Sequence, residues 1–195
     1  MHDLLRDTER RKMRSRIKSI FLFLLVLGIL GGIFYGIKSF FFEKESLEKS
    51  DYDTGLEKFS EGNFGESITL LENAKKEIGS EDVYMKLAVS YYNEKKYSQA
   101  RENYEKVLEM QPENSLVYNG IANTYRDEKN VEEAENFYKK ALTFNETYSP
   151  AYANWAIMYL DLGQTQKARE IVKEGLSRIP DAQELKNIES IFGEE

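Results

Sequence analysis

Cysteine is absent from the 195-residue chain. That removes disulfides, thiolate metal sites, a cysteine nucleophile and a lipoprotein acylation site together, and it is compatible with either redox compartment. Histidine is nearly absent as well. The only one, His2, stands beside Met1, so the body of the chain holds neither a histidine acid–base nor a histidine metal ligand. No P-loop, G-x-G-x-x-G turn or G-x-S-x-G elbow occurs. Carboxylates are plentiful, but pairs such as Glu132-Glu133 have the pattern of a solvated helix face rather than of a catalytic cleft. These absences predict a protein that is not an enzyme and needs no cofactor or metal.

Positive charge is scarce outside one segment. Residues 1–18 hold Arg6, Arg10, Arg11, Lys12, Arg14, Arg16 and Lys18 against Asp3, Asp7 and Glu9. That segment is +4, which leaves −11 for the rest of a chain whose net charge is −7. An acidic body repels phosphate, so nucleic acid is not an expected partner.

There is one long apolar run. From residue 19 to residue 37 no charge interrupts the sequence, and apolar character resumes after Lys38 with Phe40, Phe41 and Phe42. Nineteen residues at about 1.5 Å rise reach roughly 28 Å, near the hydrocarbon thickness of a bilayer. The run is too long for a signal-peptide core, and no A-x-A-like site follows it. Residues 19–42 are therefore predicted to be a single transmembrane helix in contact with lipid, with Lys38 snorkelling at its end. Basic residues before the span outnumber Lys38, Lys44 and Lys49 after it, so residues 1–18 are expected in the cytoplasm and the body outside it. Within the span Gly28, Gly32 and Gly36 recur every four residues. Such a stripe lets two membrane helices approach closely, and it is the candidate surface for homo-oligomerisation.

The body repeats itself every 34 residues. Tyr84, Tyr118 and Tyr152 are in phase, as are Ala88, Ala122 and Ala156; Tyr91, Tyr125 and Tyr159; Ala100, Ala134 and Ala168; and Leu108, Leu142 and Leu176. A period of this length marks stacked units rather than a single globular core. Within a unit the aromatic, small and aromatic residues fall at i, i+4 and i+7, one face of a helix. A second helix follows with its own alternation of small and large residues, and small residues let the facing rings approach without a void.

In these residues the chain resembles the tetratricopeptide repeat. The family pattern is matched by Tyr84, Leu87-Ala88, Tyr91, Ala100, Tyr104, Val107 and Pro112; by Tyr118, Ile121-Ala122, Tyr125, Ala134, Tyr138 and Ala141; and by Tyr152, Trp155-Ala156, Tyr159, Ala168 and Pro180. Glu146 replaces the closing proline of the middle unit, and Val107 and Gly175 replace alanine. The resemblance implies an all-α fold, a right-handed superhelix of antiparallel helix pairs, preceded here by the membrane helix. After a juxtamembrane linker at 43–47, four units are expected at 48–80, 81–114, 115–148 and 149–182, the first of them degenerate. Helices are expected at 48–60 and 64–77, 82–94 and 97–110, 115–128 and 131–144, 149–162 and 165–178. Ser149-Pro150 and Asp181 read as helix starts. The tail, 183–195, would lay Leu185, Ile188, Ile191 and Phe192 over the exposed end of the last pair. Asn145-Glu146-Thr147 fits a glycosylation sequon but falls in a short interhelical turn, where it is read as coincidence.

In this family the first helix of each pair lines the concave side. Carried over by phase, the predicted peptide-binding groove comprises Tyr52, Leu56 and Phe59; Met85, Val89, Tyr92 and Asn93; Asn119, Asn123 and Arg126; and Ile157 and Leu160. Apolar groups there would bury a partner's side chains, and asparagine amides would pair with its backbone. Side chains facing an open groove are expected to make few internal bonds. The related carboxylate clamp needs lysine, asparagine and arginine where Tyr52, Leu56, Met85 and Val89 stand, so capture of a terminal carboxylate is not implied. The expected function is a membrane-anchored scaffold that binds protein segments and helps assemble or quality-control an envelope complex. The alternatives are a homo-oligomerising structural subunit and, with reversed topology, a cytosol-facing import or docking receptor.

Overall fold

A computed structural model describes residues 50–193. The basic segment, the apolar run and Gly28, Gly32 and Gly36 lie outside the described residues. Among the described residues the fold is all-α, and no helix is long and apolar enough to cross a membrane. The helices are α1 (Asp51–Ser60), α2 (Phe64–Glu77), α3 (Glu81–Asn93), α4 (Tyr97–Met110), α5 (Ser115–Asp127), α6 (Val131–Phe144), α7 (Ser149–Asp161), α8 (Thr165–Arg178) and α9 (Gln183–Glu189). A 3-10 turn, Ser190–Phe192, follows α9.

Local chemistry explains where these helices start. Ser50, Asn63, Ser80, Asn114 and Asn130 each accept a hydrogen bond from the backbone N–H three residues on, satisfying a donor that the first turn leaves without a helical partner. The turns between α1 and α2, α3 and α4, α5 and α6, and α7 and α8 share one geometry. Gly62, Lys95, Lys129 and Gly163 take φ of 75°, 57°, 66° and 70°, and the next N–H returns to the carbonyl of residue 58, 91, 125 or 159. This left-handed cap folds the second helix back on the first. Glycine adopts it freely, whereas Lys95 and Lys129 do so at a steric cost.

Packing follows the small-residue slots. Ala88, Ala100, Ala122, Ala134, Ala156 and Ala168 are all fully buried. In the first unit the corresponding place on α1 is taken by Gly55, where a methyl group would come within 2.9 Å of Leu71. Opposite it Ser67 is buried and donates its hydroxyl proton to the Gly55 carbonyl at 3.0 Å. Gly120 serves the contact between units: a methyl group there would lie 2.6 Å from the Tyr104 ring of α4. The resulting core runs along the stack as three clusters, around Leu71 and Leu87, around Tyr104 and Ile121, and around Tyr138, Tyr152 and Val172, with the partly buried Tyr91, Tyr125 and Phe137 packed between successive clusters.

Three local expectations need correction. Ser149 is the first residue of α7 rather than its cap. The cap is Tyr148, and the Ser149 hydroxyl turns instead to the Glu184 carboxylate of α9. Asp181 does not cap α9 either. Ala182 holds that position, and the Asp181 carboxylate pairs with Lys186. The tail buries Leu185 and Ile188, but Ile191 is 68% exposed. The chain tightens to 3-10 geometry after Glu189, and three residues per turn rotate residue 191 off the stripe that an α-helix would have continued. The sequon at Asn145 is occupied by a local turn, its side-chain oxygen accepting from the Thr147 N–H and hydroxyl.

Candidate functional site

Helices α1, α3, α5 and α7 are the first of each pair, and the predicted groove residues recur on one face of them. Tyr52, Met85, Asn119 and Ala153 share one phase; Leu56, Val89, Asn123 and Ile157 the next; Phe59, Tyr92, Arg126 and Leu160 a third. A helix completes a turn every 3.6 residues, so spacings of three and four keep these three phases adjacent. Ile157 is exposed, as is Asn93, while Leu56, Phe59, Met85, Val89 and Leu160 are half-buried. The face thus presents aliphatic groups that remain open to solvent on three of the four units.

Its polar members are committed to each other. The Tyr52 hydroxyl donates to Asp82 at 2.7 Å, tying α1 to α3. Tyr92 donates to Asp127 at 2.7 Å, tying α3 to α5, and the Arg126 guanidinium bridges the same pair by donating to the Tyr92 oxygen at 3.2 Å and to Asp127 at 2.8 Å. Asn154 donates to the Asn119 side-chain oxygen at 3.1 Å, tying α5 to α7. The Asn123 side-chain oxygen accepts from Tyr138 of α6 at 2.7 Å. These bonds form a ladder that joins each first helix to the next. Here the structure departs from the expectation of few internal bonds. Asn119 is only 7% exposed, and both asparagine oxygens are already engaged. Burial between two stacked units leaves Asn119 little access to water, so an unmade bond there would be costly.

The ladder shifts the titration of its phenols. Burial, reinforced by the bond to Asp127, pushes Tyr92 up to about 12. Tyr52 is raised by its bond to Asp82 and then by burial. Tyr138 is raised by burial, against the opposing charge of Arg126. All three remain neutral donors at physiological pH.

The structure does not bring these residues together into a catalytic arrangement. Among the described residues no group of three histidine, aspartate or glutamate side chains could hold a metal ion, and the ladder pairs Asp82 and Asp127 with phenols and a guanidinium. What sequence reasoning missed is Asn154. Asn154 was detectable only as an amide 35 residues after Asn119, one step off the repeat period.

Two family models described as tetratricopeptide repeat match the chain, one over residues 79–147 and the other over 125–190. A comparison with curated proteins finds no match. Among solved structures, the crystal structure of MamA is similar at a TM-score of 0.56 and 20% identity, covering 65% of this chain and 74% of its own. MamA from Desulfovibrio magneticus RS-1, from residue 41 to the end, gives 0.60 at 16% identity, with 68% and 76% covered. A thermophilic TPR protein in Thermus thermophilus gives 0.54 at 22% identity, with 65% and 72% covered.

Proposed function

This chain belongs to the tetratricopeptide-repeat family, whose members are generally non-catalytic protein-interaction scaffolds, and we propose on that premise that it is a membrane-anchored scaffold binding extended protein segments along α1, α3, α5 and α7. The observation that carries this reading is the division of labour on that face. The polar ladder joins the units, which holds the face in one shape before a partner arrives, and Met85, Val89, Ile157 and Leu160 are left to take its side chains. A face that is already ordered loses less conformational entropy on binding, so affinity can come from a few apolar contacts.

The anchor is residues 19–42, with the repeats outside the cytoplasm and the client a component of an envelope complex under assembly or quality control. Support for the anchor is the uncharged run itself, and support for the orientation is the basic excess before it. No enzymatic step is part of this function.

Two experiments test it. A photo-crosslinking side chain at position 89 or 157 of the full chain should capture a discrete protein partner in membranes, whereas the same group at position 109, on the outer helix α4, should not. Equal capture from all three positions would remove the groove from the proposal. Protease added to spheroplasts should digest the repeats and spare residues 1–18; protection of the repeats until lysis would reverse the topology.

A further inference from the structure

The eighth residue of each second helix is a core position: Leu71, Tyr104, Tyr138 and Val172 are at most 5% exposed. Leucine and valine fill it in α2 and α8, so packing there does not require a hydroxyl. In α6 the hydroxyl is used, because Tyr138 donates to Asn123 of the first-helix face at 2.7 Å. One period before Asn123 stands Val89, whose side chain offers no acceptor. Among the described residues no hydrogen bond engages the Tyr104 hydroxyl.

Gly120 opens α5 to this hydroxyl. A methyl group there would come within 2.8 Å of the Tyr104 oxygen, whereas the in-phase residues of α3 and α7 are Lys86 and Asn154. Burial raises the Tyr104 pKa, and Tyr92 and Tyr148 raise it further; Tyr92 belongs to the first-helix face, so the hydroxyl lies toward that side of the core. Among the described residues only Ser90 Oγ and Trp155 Nε1 are sealed from solvent without a partner, so the Tyr104 hydroxyl still meets water. The acceptor that joins α3 to α5, Asp127, already takes Tyr92 on one oxygen and Arg126 on the other. Tyr104 therefore presents an open O–H donor between these two helices. A hydroxyl with so little access to water gains more from an acceptor brought by a partner than a fully hydrated one would.

We propose that Tyr104, although it comes from a second helix, is a binding residue of the first-helix face: its hydroxyl donates to a main-chain carbonyl of the bound protein segment where that segment crosses from α3 to α5. The inference rests on the reading of that face as the binding surface and adds a contact to it. An extended segment carries a carbonyl at every residue, about 3.3 Å apart, with alternate ones directed to the same side. One of them therefore comes within reach of a fixed donor whatever the side chains are. The contact contributes affinity without sequence preference, and the choice among segments is left to the apolar groups around it, Met85 and Val89.

Tyr104→Phe keeps the ring and removes only the donor. In the full chain it should leave the urea midpoint unchanged or raise it, whereas Tyr138→Phe, which strands the Asn123 oxygen, should lower it. Binding is read with a photo-crosslinking group at position 157 of α7, clear of the contact between α3 and α5, and with the chain diluted into the linear range of capture. Under those conditions Tyr104→Phe should cut the yield of the crosslinked partner in membranes about fivefold, the loss of one net hydrogen bond. A midpoint that falls as far with Tyr104→Phe as with Tyr138→Phe gives the hydroxyl a partner inside the fold and overturns the proposal. An unchanged yield also overturns it, leaving the hydroxyl to water and the first-helix face intact. No capture from position 157 in the parent chain removes the face and this contact together, so the two failures are told apart.

Discussion

The third and fourth units share a backbone plan and differ in what fills their outer groove. In the third, Phe137 and Phe144 build an aromatic column on Tyr118 and Tyr125, flanked by Arg101 over Tyr125 at 4.3 Å and Lys140 over Phe137 at 4.5 Å. In the fourth, Ile171 and Arg178 stand in those two slots, and each borders an open cavity together with Trp155, of about 300 and 520 Å³ respectively. Neither exchange touches a slot on which the helix pair depends: Ala134 and Ala168 are fully buried in both. A stacked repeat thus separates the residues that set its geometry from those that shape its surface. The same pair geometry therefore tolerates different outer residues in successive units.

The largest effect is expected from alkaline titration, because it acts on the second and fourth units and on the ladder that joins the second to the third. Tyr91, Tyr92 and Tyr159 ionise near 12 in the fold, raised first by burial and then by their carboxylate neighbours, against about 10 when unfolded. A folded pKa above the unfolded one means stability that is complete below pH of about 10 and lost as pH rises through the folded values. The urea midpoint of the full chain should therefore fall steeply between pH of about 10 and 12. A flat midpoint across that window would show that these phenols are not buried as described.

Next in size is the aromatic column. Phe137→Ala should cost about 2 to 3 kcal/mol, since Phe137 is half-buried and stacks on two rings. The mirror change, Ile171→Phe, should move stability by less than about 1 kcal/mol in either direction, because the cavity beside it can take the added atoms. Comparable losses from both changes, read as shifts in denaturation midpoint, would erase the contrast between the units.

The smallest expected effect concerns the turns. Lys129 and Gly163 hold the same left-handed position in the third and fourth units, with φ of 66° and 70°. Lys129→Gly should stabilise the chain by about 0.5 to 1 kcal/mol and Gly163→Ala should destabilise it by about 1 kcal/mol. Equal and opposite shifts would confirm one shared turn; a loss from both would mean that Lys129 contributes through its side chain.

Much of this organisation is legible in the amino-acid sequence. The repeat phase of Ala88, Ala122 and Ala156 locates the close contacts within each pair, because only a small residue permits them. Ser80 and Asn130 mark helix starts through local capping chemistry. Gly55 escapes that reading, since the first unit is one residue out of step and its neighbours do not follow the aromatic pattern. Asn119 and Asn123 are legible as members of the first-helix face but not as bonded groups. Their partners, Asn154 and Tyr138, belong to other helices, and the distances between them depend on how successive units are rotated.

By itself the sequence determined the helix pairs, their order and which face of each is apolar, because these depend on interactions within a few residues and on a period written into the chain. Only the tertiary structure decided that Ser149 would reach for Glu184 instead of capping α7, that Arg178 of α8 would pair with Glu146 before α7, and that the tyrosines of the first-helix face would bond to carboxylates of the next unit. Each of these is a choice between a local and a distant partner. Local partners are all present in the sequence, whereas a distant one becomes available only after two helices have packed, and the packing sets which bond is short enough to form.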